Sequence, residues 1–544
     1  MQRTTELRLF VTGTEKHAGP KRDPRAMVFA FCVSWVLIHS GKAAVIRVPE
    51  DYSSLSEAVA ATESGDRVLV SPGTYELNDP IKMRHSIDLI GREGADSTFL
   101  LIKPRPPKPG PQRSPRPFFW YVGWSGGGVN IEGFTFVVYL AEDLQGRHVP
   151  YEVVVGAGNF RRNVLKPAPG WAGLFAGWAV RWYLLQGPVE GEVAENEIYG
   201  FEVAGLGGIW KRNIIKNCED GIIGAKAAIE NYIEADSSPL GGGTLVAGNT
   251  LIGEEVVTRT FCEPARPEFS HFVNNYIEAF VVFIGPCVVF ENNILIQRGW
   301  YYICARCSFL GIGTTWETQF INNTVIGLPG KKMIDLSFTY LRDSKFARNI
   351  FWRPEYGGGL PLMEFGRLDP DFFTDNVVSD PACELIGIDG NVCLDPMFVD
   401  PLRGDVRLLP GSPCIDRVME GEPDPDGTPR DLGAVPYDHE APWFVRGDVS
   451  GDGRIGLADA LLLLAHLFAG SEAACPLAGD VNDDEALSLE DVIGLLGYLF
   501  AGGLPPPPPF PKVDVDPTPG GLPCGKPPGQ KSKAIDSGID TMLE

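Results

Sequence analysis

At 544 residues, 44% apolar and 22% charged, the chain is long enough for more than one core, and its 64 glycines and 46 prolines point to many turns rather than long helices. A formal charge of −23 argues against nucleic acid or an anionic membrane as a main partner, because neither meets the basic surface it needs.

Residues 28–38, VFAFCVSWVLI, form an apolar run preceded by Lys21, Arg22 and Arg25 and followed by Gly41, Ala43 and Ala44. The run is too short to cross a bilayer and has the form of a signal-peptide core. Residues 1–43 therefore read as a signal peptide with an upstream segment, Met27 being an alternative start. The mature chain is expected outside the cell or at its surface, without a transmembrane anchor; a buried strand is the other reading. Loss of Cys32 leaves an even set of cysteines, in which Cys383 with Cys393 and Cys475 with Cys524 are candidate disulfides. Cys304 and Cys307 form a CxxC with no second copy and no nearby histidine, so they read as structural.

The next stretch, VIRVPEDYSSLSEAVAATESGDRVLVSPGTYEL, opens a folded unit with a short helix marked by the capping box Ser54 to Glu57. Residues 104–118 are proline-rich and read as an inserted loop. Asparagine then recurs before short apolar strings, at Asn163, Asn196, Asn213, Asn231, Asn249, Asn275, Asn293, Asn323, Asn349 and Asn376. A spacing of about 18 residues suits one coil of a parallel β-helix. Asparagine fits its turns by tolerating the left-handed conformation, and stacked amides can bond along the axis. An antiparallel sandwich would not explain one residue type at one phase of a repeat.

The opening stretch, with GGGVNIEGFTF at 126–136, resembles the first coil of right-handed parallel β-helix proteins of the pectin lyase-like superfamily. DPMFVDPLRGDVRLLPGSPCID at 395–416, with DLGA at 431–434, resembles the closing segment of secreted members. The resemblance implies a right-handed parallel β-helix over 44–440. Many members cut or modify polysaccharide, so a glycoside hydrolase or polysaccharide lyase is the implied enzyme class. Hydrolysis needs two carboxyl groups about one bond, and a lyase needs a base. The candidates are Glu219 and Asp220 in RNIIKNCEDGIIG, with Lys211, Arg212 and Lys216 on neighbouring strands. The carboxylate motifs of polygalacturonases and pectin methylesterases are not found. Trp171, Trp178, Trp182 and Trp300-Tyr301-Tyr302 could stack on sugars or fill the core. The alternative function is a noncatalytic carbohydrate-binding, adhesive or structural surface protein.

Near the end the chain repeats itself: the 23 residues from Asp448 and from Asp480 match at 11 positions. Each copy is an acidic 12-residue loop followed by an apolar helical stretch. Calcium takes six to eight oxygen ligands, which such a loop supplies from positions 1, 3, 5, 7, 9 and 12. These are Asp448, Ser450, Asp452, the carbonyl of Arg454, Gly456 through water, and Asp459; then Asp480, Asn482, Asp484, the carbonyl of Ala486, Ser488 and Asp491. Position 6 needs a positive φ, which suits Gly453 and not Glu485, so the second loop is expected to be weaker or distorted. His466 reads as a helix-surface residue.

This doubled loop and helix over 445–503 resembles a type I dockerin. The resemblance implies a small all-α, EF-hand-like module that binds two Ca²⁺ ions and docks a cohesin-like module or scaffold. Positions 10 and 11, Leu457-Ala458 and Leu489-Glu490, differ from the hydroxyl pair common in that family and leave the choice of cohesin open. A self-contained calcium-stabilised cap is the other reading. Residues 504–544, opening with AGGLPPPPPF just upstream, are expected to be a stiff and then poorly ordered tail.

Overall fold

The computed structural model is described over residues 43–524, apart from 104–118, 125–127, 140, 143–147, 150, 156–157, 170–177, 182–190, 259–268, 299–302, 305–313, 330–333, 337–339, 355–362, 366–372, 380–389, 419–421, 474 and 519–521. The expected signal segment, the proline-rich insertion, Trp171, Trp182 and Trp300 to Tyr302 lie outside the described residues. So do the side chains of Trp178 and Cys304.

After helix α1 (Leu55–Ala60), capped by Ser54, whose hydroxyl accepts the Glu57 N–H at 3.2 Å, short strands repeat in groups of three. Each strand pairs in parallel with its counterpart one coil on: Val45–Val48 with Arg67–Val70, Gly73–Leu77 with Thr98–Ile102, Ile81–Met83 with Phe119–Trp124. The same three-fold pairing continues to Phe373–Thr374, Val377–Ser379 and Met363–Phe365. The result is a parallel coil with three faces. Face one precedes the repeated asparagine, face two follows it, and face three closes the turn. Inward positions alternate with outward ones, as in Thr98–Ile102, and put Phe272, Phe290, Phe320 and Phe346 in one interior stack at 5.6, 5.3 and 4.9 Å.

The asparagines do form a ladder. From Asn196 onward, each amide oxygen accepts both the backbone N–H and the side-chain amide of the asparagine one coil before, starting with Asn163, and Asn391 extends the run by one rung. Their conformational role differs from the expectation. The left-handed residue is the one before each asparagine: Arg162, Glu195, Arg212, Glu230, Asn274, Asn292, Asn322, Arg348 and Asp375 all have φ between 51° and 60°. Such backbone costs about 1–2 kcal/mol per residue, which the buried amide bonds offset. The side chains at those sites point outward, where Arg162 meets Glu132 and Glu195, and Arg212 meets Glu195 and Glu230.

The segment expected to close the coil does not sit across its end. The hairpin of Phe398–Asp400 and Asp405–Leu408 folds back over the outer side of face two. That side is apolar from Ile294 onward, and Phe398, Val406, Leu408 and Leu432 cover Ile294, Ile296, Ile326, Ile350, Trp352 and Val377.

Beyond it, α2 (Leu457–Ala469) and α3 (Leu489–Ala501) pack through Ala460, Leu463, Val492 and Leu495. Among the described residues, no helix is long and apolar enough to cross a membrane. Residues 504–518 are not a loose tail: Pro506 and Pro509 are buried, Phe510 meets Tyr498 edge-on, and Phe444 bridges Asp514. The Cys475–Cys524 disulfide forms as expected, and Cys383, the candidate partner of Cys393, lies outside the described residues.

Candidate functional site

The structure divides the proposed catalytic trio. Lys211 lies on face one and pairs with Glu192 at 3.2 Å. Glu219 and Asp220 lie on face three, because the long strand Ile214–Ile229 bends from face two at Lys216 to face three by Asp220 to Ile223. Glu219 is exposed, and Asp220 accepts the Ser238 N–H at 3.2 Å. Lys211 is therefore no base for these carboxylates.

The acid whose charge is felt together with that of Asp220 is Glu255, two coils on, which sequence reasoning missed. Burial raises the pKa of Glu255, and the charge of Asp220 raises it further. Nothing in the string GEEVV sets Glu255 apart from Glu254. Only coil stacking selects it.

A second group was also missed, although its signal was in the repeat. Tyrosine one residue and glutamate three residues after a ladder asparagine place both on the outer side of face two, in NYIE at 231–234 and at 275–278. Tyr232 donates to Glu234 at 3.1 Å and Tyr276 to Glu278 at 3.4 Å; on an earlier rung Tyr199 donates to Glu197 at 2.7 Å. Lys216 stands over the Tyr232 ring at 4.7 Å, and Arg298 pairs with Glu278. Burial, then the adjacent glutamate, pushes the Tyr199 phenol up to about 12. The three rings are half-exposed, and the row ends where Gly404 of the covering segment meets the Tyr276 hydroxyl.

The two acidic loops take the same backbone path. Position 4 is left-handed in both (Gly451, φ 70°; Asp483, φ 63°), as is position 6 (Gly453, φ 80°; Glu485, φ 66°). The second loop is thus strained at Glu485 but not distorted. Asp448 accepts the N–H groups of Gly451, Asp452 and Gly453, and Asp480 those of Asp484 and Glu485. Asp459 and Asp491 close each loop by accepting from Ser450 and Gly456, and from Val481, Asn482 and Ser488. Asp452 and Asp484 accept from Arg454 and Ala486, and Ser450 donates to Asp448 while Asn482 donates to Asp484. His466 bonds the Ser471 carbonyl and stands outside both loops.

Among the described residues, no three histidine, cysteine or acidic side chains are gathered as a metal cluster. The donor chemistry nevertheless fits a hard divalent cation. Asp448, Asp459, Asp480 and Asp491 are 8, 1, 1 and 0% exposed, and burial raises the Asp480 pKa with the Asp491 charge adding to it.

No family model matches this chain, and no curated protein matches it. Among solved structures it is similar to an alginate lyase of polysaccharide lyase family 6, at 11% identity and TM-score 0.41, over 75% of this chain and 60% of that one. It is also similar to a mannuronic acid-specific family 6 lyase from human gut microbiota (11%, TM-score 0.29, 65% and 91% of the two chains) and to a rhamnogalacturonan lyase (10%, 0.27, 66% and 90%). The chain spans less than two thirds of the first lyase's length. At these scores the parallel coil rests on its own strand pairings.

Proposed function

We propose that this chain is a secreted protein whose β-helix acts on polysaccharide while a dockerin-type calcium module holds it to a cohesin-like partner. The coil is taken as right-handed, the hand that parallel crossovers nearly always have. The observation that carries the docking half is the equivalence of the two loop–helix units. Leu457 and Leu489, Leu461 and Ile493, and Phe468 and Phe500 occupy matching positions and are all exposed, so the helix pair presents one apolar pattern twice. Asp448, Ser450, Asp452, Arg454, Asp459 and Asp480, Asn482, Asp484, Ala486, Asp491 would hold calcium. Bound cation would neutralise carboxylates that otherwise repel one another.

For the β-helix, Asp220 and Glu255 supply the pair that glycosidic cleavage uses, with Glu255 the better placed to retain a proton. A second reading, binding without cleavage, is favoured by the tyrosine row on face two, which offers half-exposed rings beside carboxylate acceptors.

The experiment is to incubate the mature chain with a panel of neutral and acidic polysaccharides and to measure both cleavage and retention in polysaccharide gels. Cleavage lost in Asp220→Asn and Glu255→Gln supports the enzyme. Retention without cleavage, weakened by Tyr232→Ala, supports the binder. Neither result on any polymer removes polysaccharide from the proposal.

A further inference from the structure

The two loop–helix units share a backbone path but not their surroundings. The first loop's carboxylates are bonded within that loop. Among the described residues, no basic side chain from outside it pairs with Asp448, Asp452 or Asp459. The second loop is gripped from outside. Arg446, fully buried, donates from Nη1 to the Asp480 carbonyl at 2.7 Å and forms an ion pair from Nη2 with Asp483 at 2.8 Å.

The same guanidinium ties that loop to the chain beyond α3. Its Nη2 also reaches Asp516 at 3.0 Å, its Nε donates to the Pro508 carbonyl at 3.0 Å, and its backbone N–H donates to the Pro509 carbonyl at 2.7 Å. Thr518 adds bonds to Asp483 at 2.8 and 3.1 Å. The Cys475–Cys524 bridge then fastens the end of this strap to the residue that opens the turn Pro476–Gly479, immediately before Asp480. Arg446 precedes the first loop in sequence but places its charge on the second.

A cation and Arg446 bring positive charge to the loop by different routes: a cation would sit among its ligand oxygens, whereas Arg446 holds the Asp480 carbonyl and the Asp483 carboxylate beside them and sets its charge against the Asp480 carboxylate. Only the second loop has the protein-supplied version. We propose that Arg446, the strap of residues 504–518 and the Cys475–Cys524 disulfide keep the second unit folded without a cation, so that cation withdrawal unfolds the first unit alone. The inference rests on reading the loops as cation sites. It makes the module two switches in series, the first answering to divalent cation and the second also to thiol redox state. Reduction by a dithiol converts the Cys475–Cys524 bond to two thiols while the reagent is oxidised to its cyclic disulfide, which frees the strap.

The test is hydrogen exchange by mass spectrometry on the full mature chain, in calcium and in EGTA, with the disulfide intact or reduced by dithiothreitol. In EGTA, α2 should exchange about tenfold or more faster than α3, and reduction or Arg446→Met should abolish the difference. Thr518→Val, which leaves Arg446 in place, should shrink it while leaving the calcium-loaded pattern unchanged. Fast exchange of both helices in EGTA with the disulfide intact would overturn the brace and leave the cation reading standing. Slow exchange of both, with or without calcium, would overturn brace and cation reading together. An unchanged difference in both variants and after reduction would show that the strap does not hold the second unit.

Discussion

The coil and the C-terminal third of this protein solve the same problem, a buried polar interior, with opposite chemistry. In the coil, Asp66 apart, the buried polar groups are neutral, chiefly a column of asparagine amides, each satisfied by its neighbours and by backbone. Charges such as Arg212 and Glu195 stay outside. Past Phe398 the buried polar groups are mostly ionic: Asp431, Arg446, Asp448, Asp459, Asp480 and Asp491 are all buried, with Ser412 the neutral exception. A neutral ladder costs little to bury and can be repeated indefinitely, which suits a fold made by repetition. A buried charge needs a matched partner or a ligand, which makes a small module conditional.

Breaking the ladder is the largest test of that comparison. Asn275→Ala strands the Asn249 N–H and the Val246 carbonyl, which Asn275 now satisfies. A loss of about 3 kcal/mol in urea unfolding of the coil is expected, since each stranded buried group costs about 1–3 kcal/mol. Because neutral amides do not titrate, the loss should be the same at pH 5 and pH 8.

The ionic region should instead respond to pH. Burial raises the Asp424 pKa to about 6, above the 3.8 of an ordinary aspartate, and the Asp431 charge contributes. The folded state then binds more protons than the unfolded one between these values. Stability from this group is therefore present at low pH and falls as pH rises from about 4 to 6. Discounted for its partial exposure, the loss is about 1 kcal/mol. Following the melting of the covering segment across that range checks it, and Asp424→Asn should flatten the slope.

The smallest effect compares the two loops directly. Glu485 holds a φ of 66° that glycine holds at Gly453. Relief of about 1–2 kcal/mol of strain, less the extra flexibility glycine brings to the unfolded chain, leaves about 0.5 kcal/mol of gain for Glu485→Gly. Gly453→Glu should lose a similar amount, read as opposite shifts in the module's melting temperature.

Much of the coil was legible in the sequence because its rule is local and repeated. One asparagine per turn and apolar strings after it imply a period, and a period of that length implies stacked strands. Even so, the sequence could not say that the left-handed residue is the neighbour of the asparagine, because arginine and glutamate carry no conformational mark of that kind. The disulfide Cys475–Cys524 was legible as one option among several. The separation of Lys211 from Glu219 and Asp220 was not, because the few positions between them are enough for a bending chain to carry them to different faces.

By itself, the sequence determined that the body is a repeat of short strands and that two copies of one acidic loop and helix follow it. Both follow from periodicity, which needs no knowledge of what touches what. Only the tertiary structure decided that Glu255 comes within electrostatic reach of Asp220, that residues 398–409 cover face two from Ile294 onward, and that Arg446 reaches past its own loop to hold the other. Those pairings join residues separated by tens of positions, and their partners are chosen by how the coils stack and where the chain doubles back.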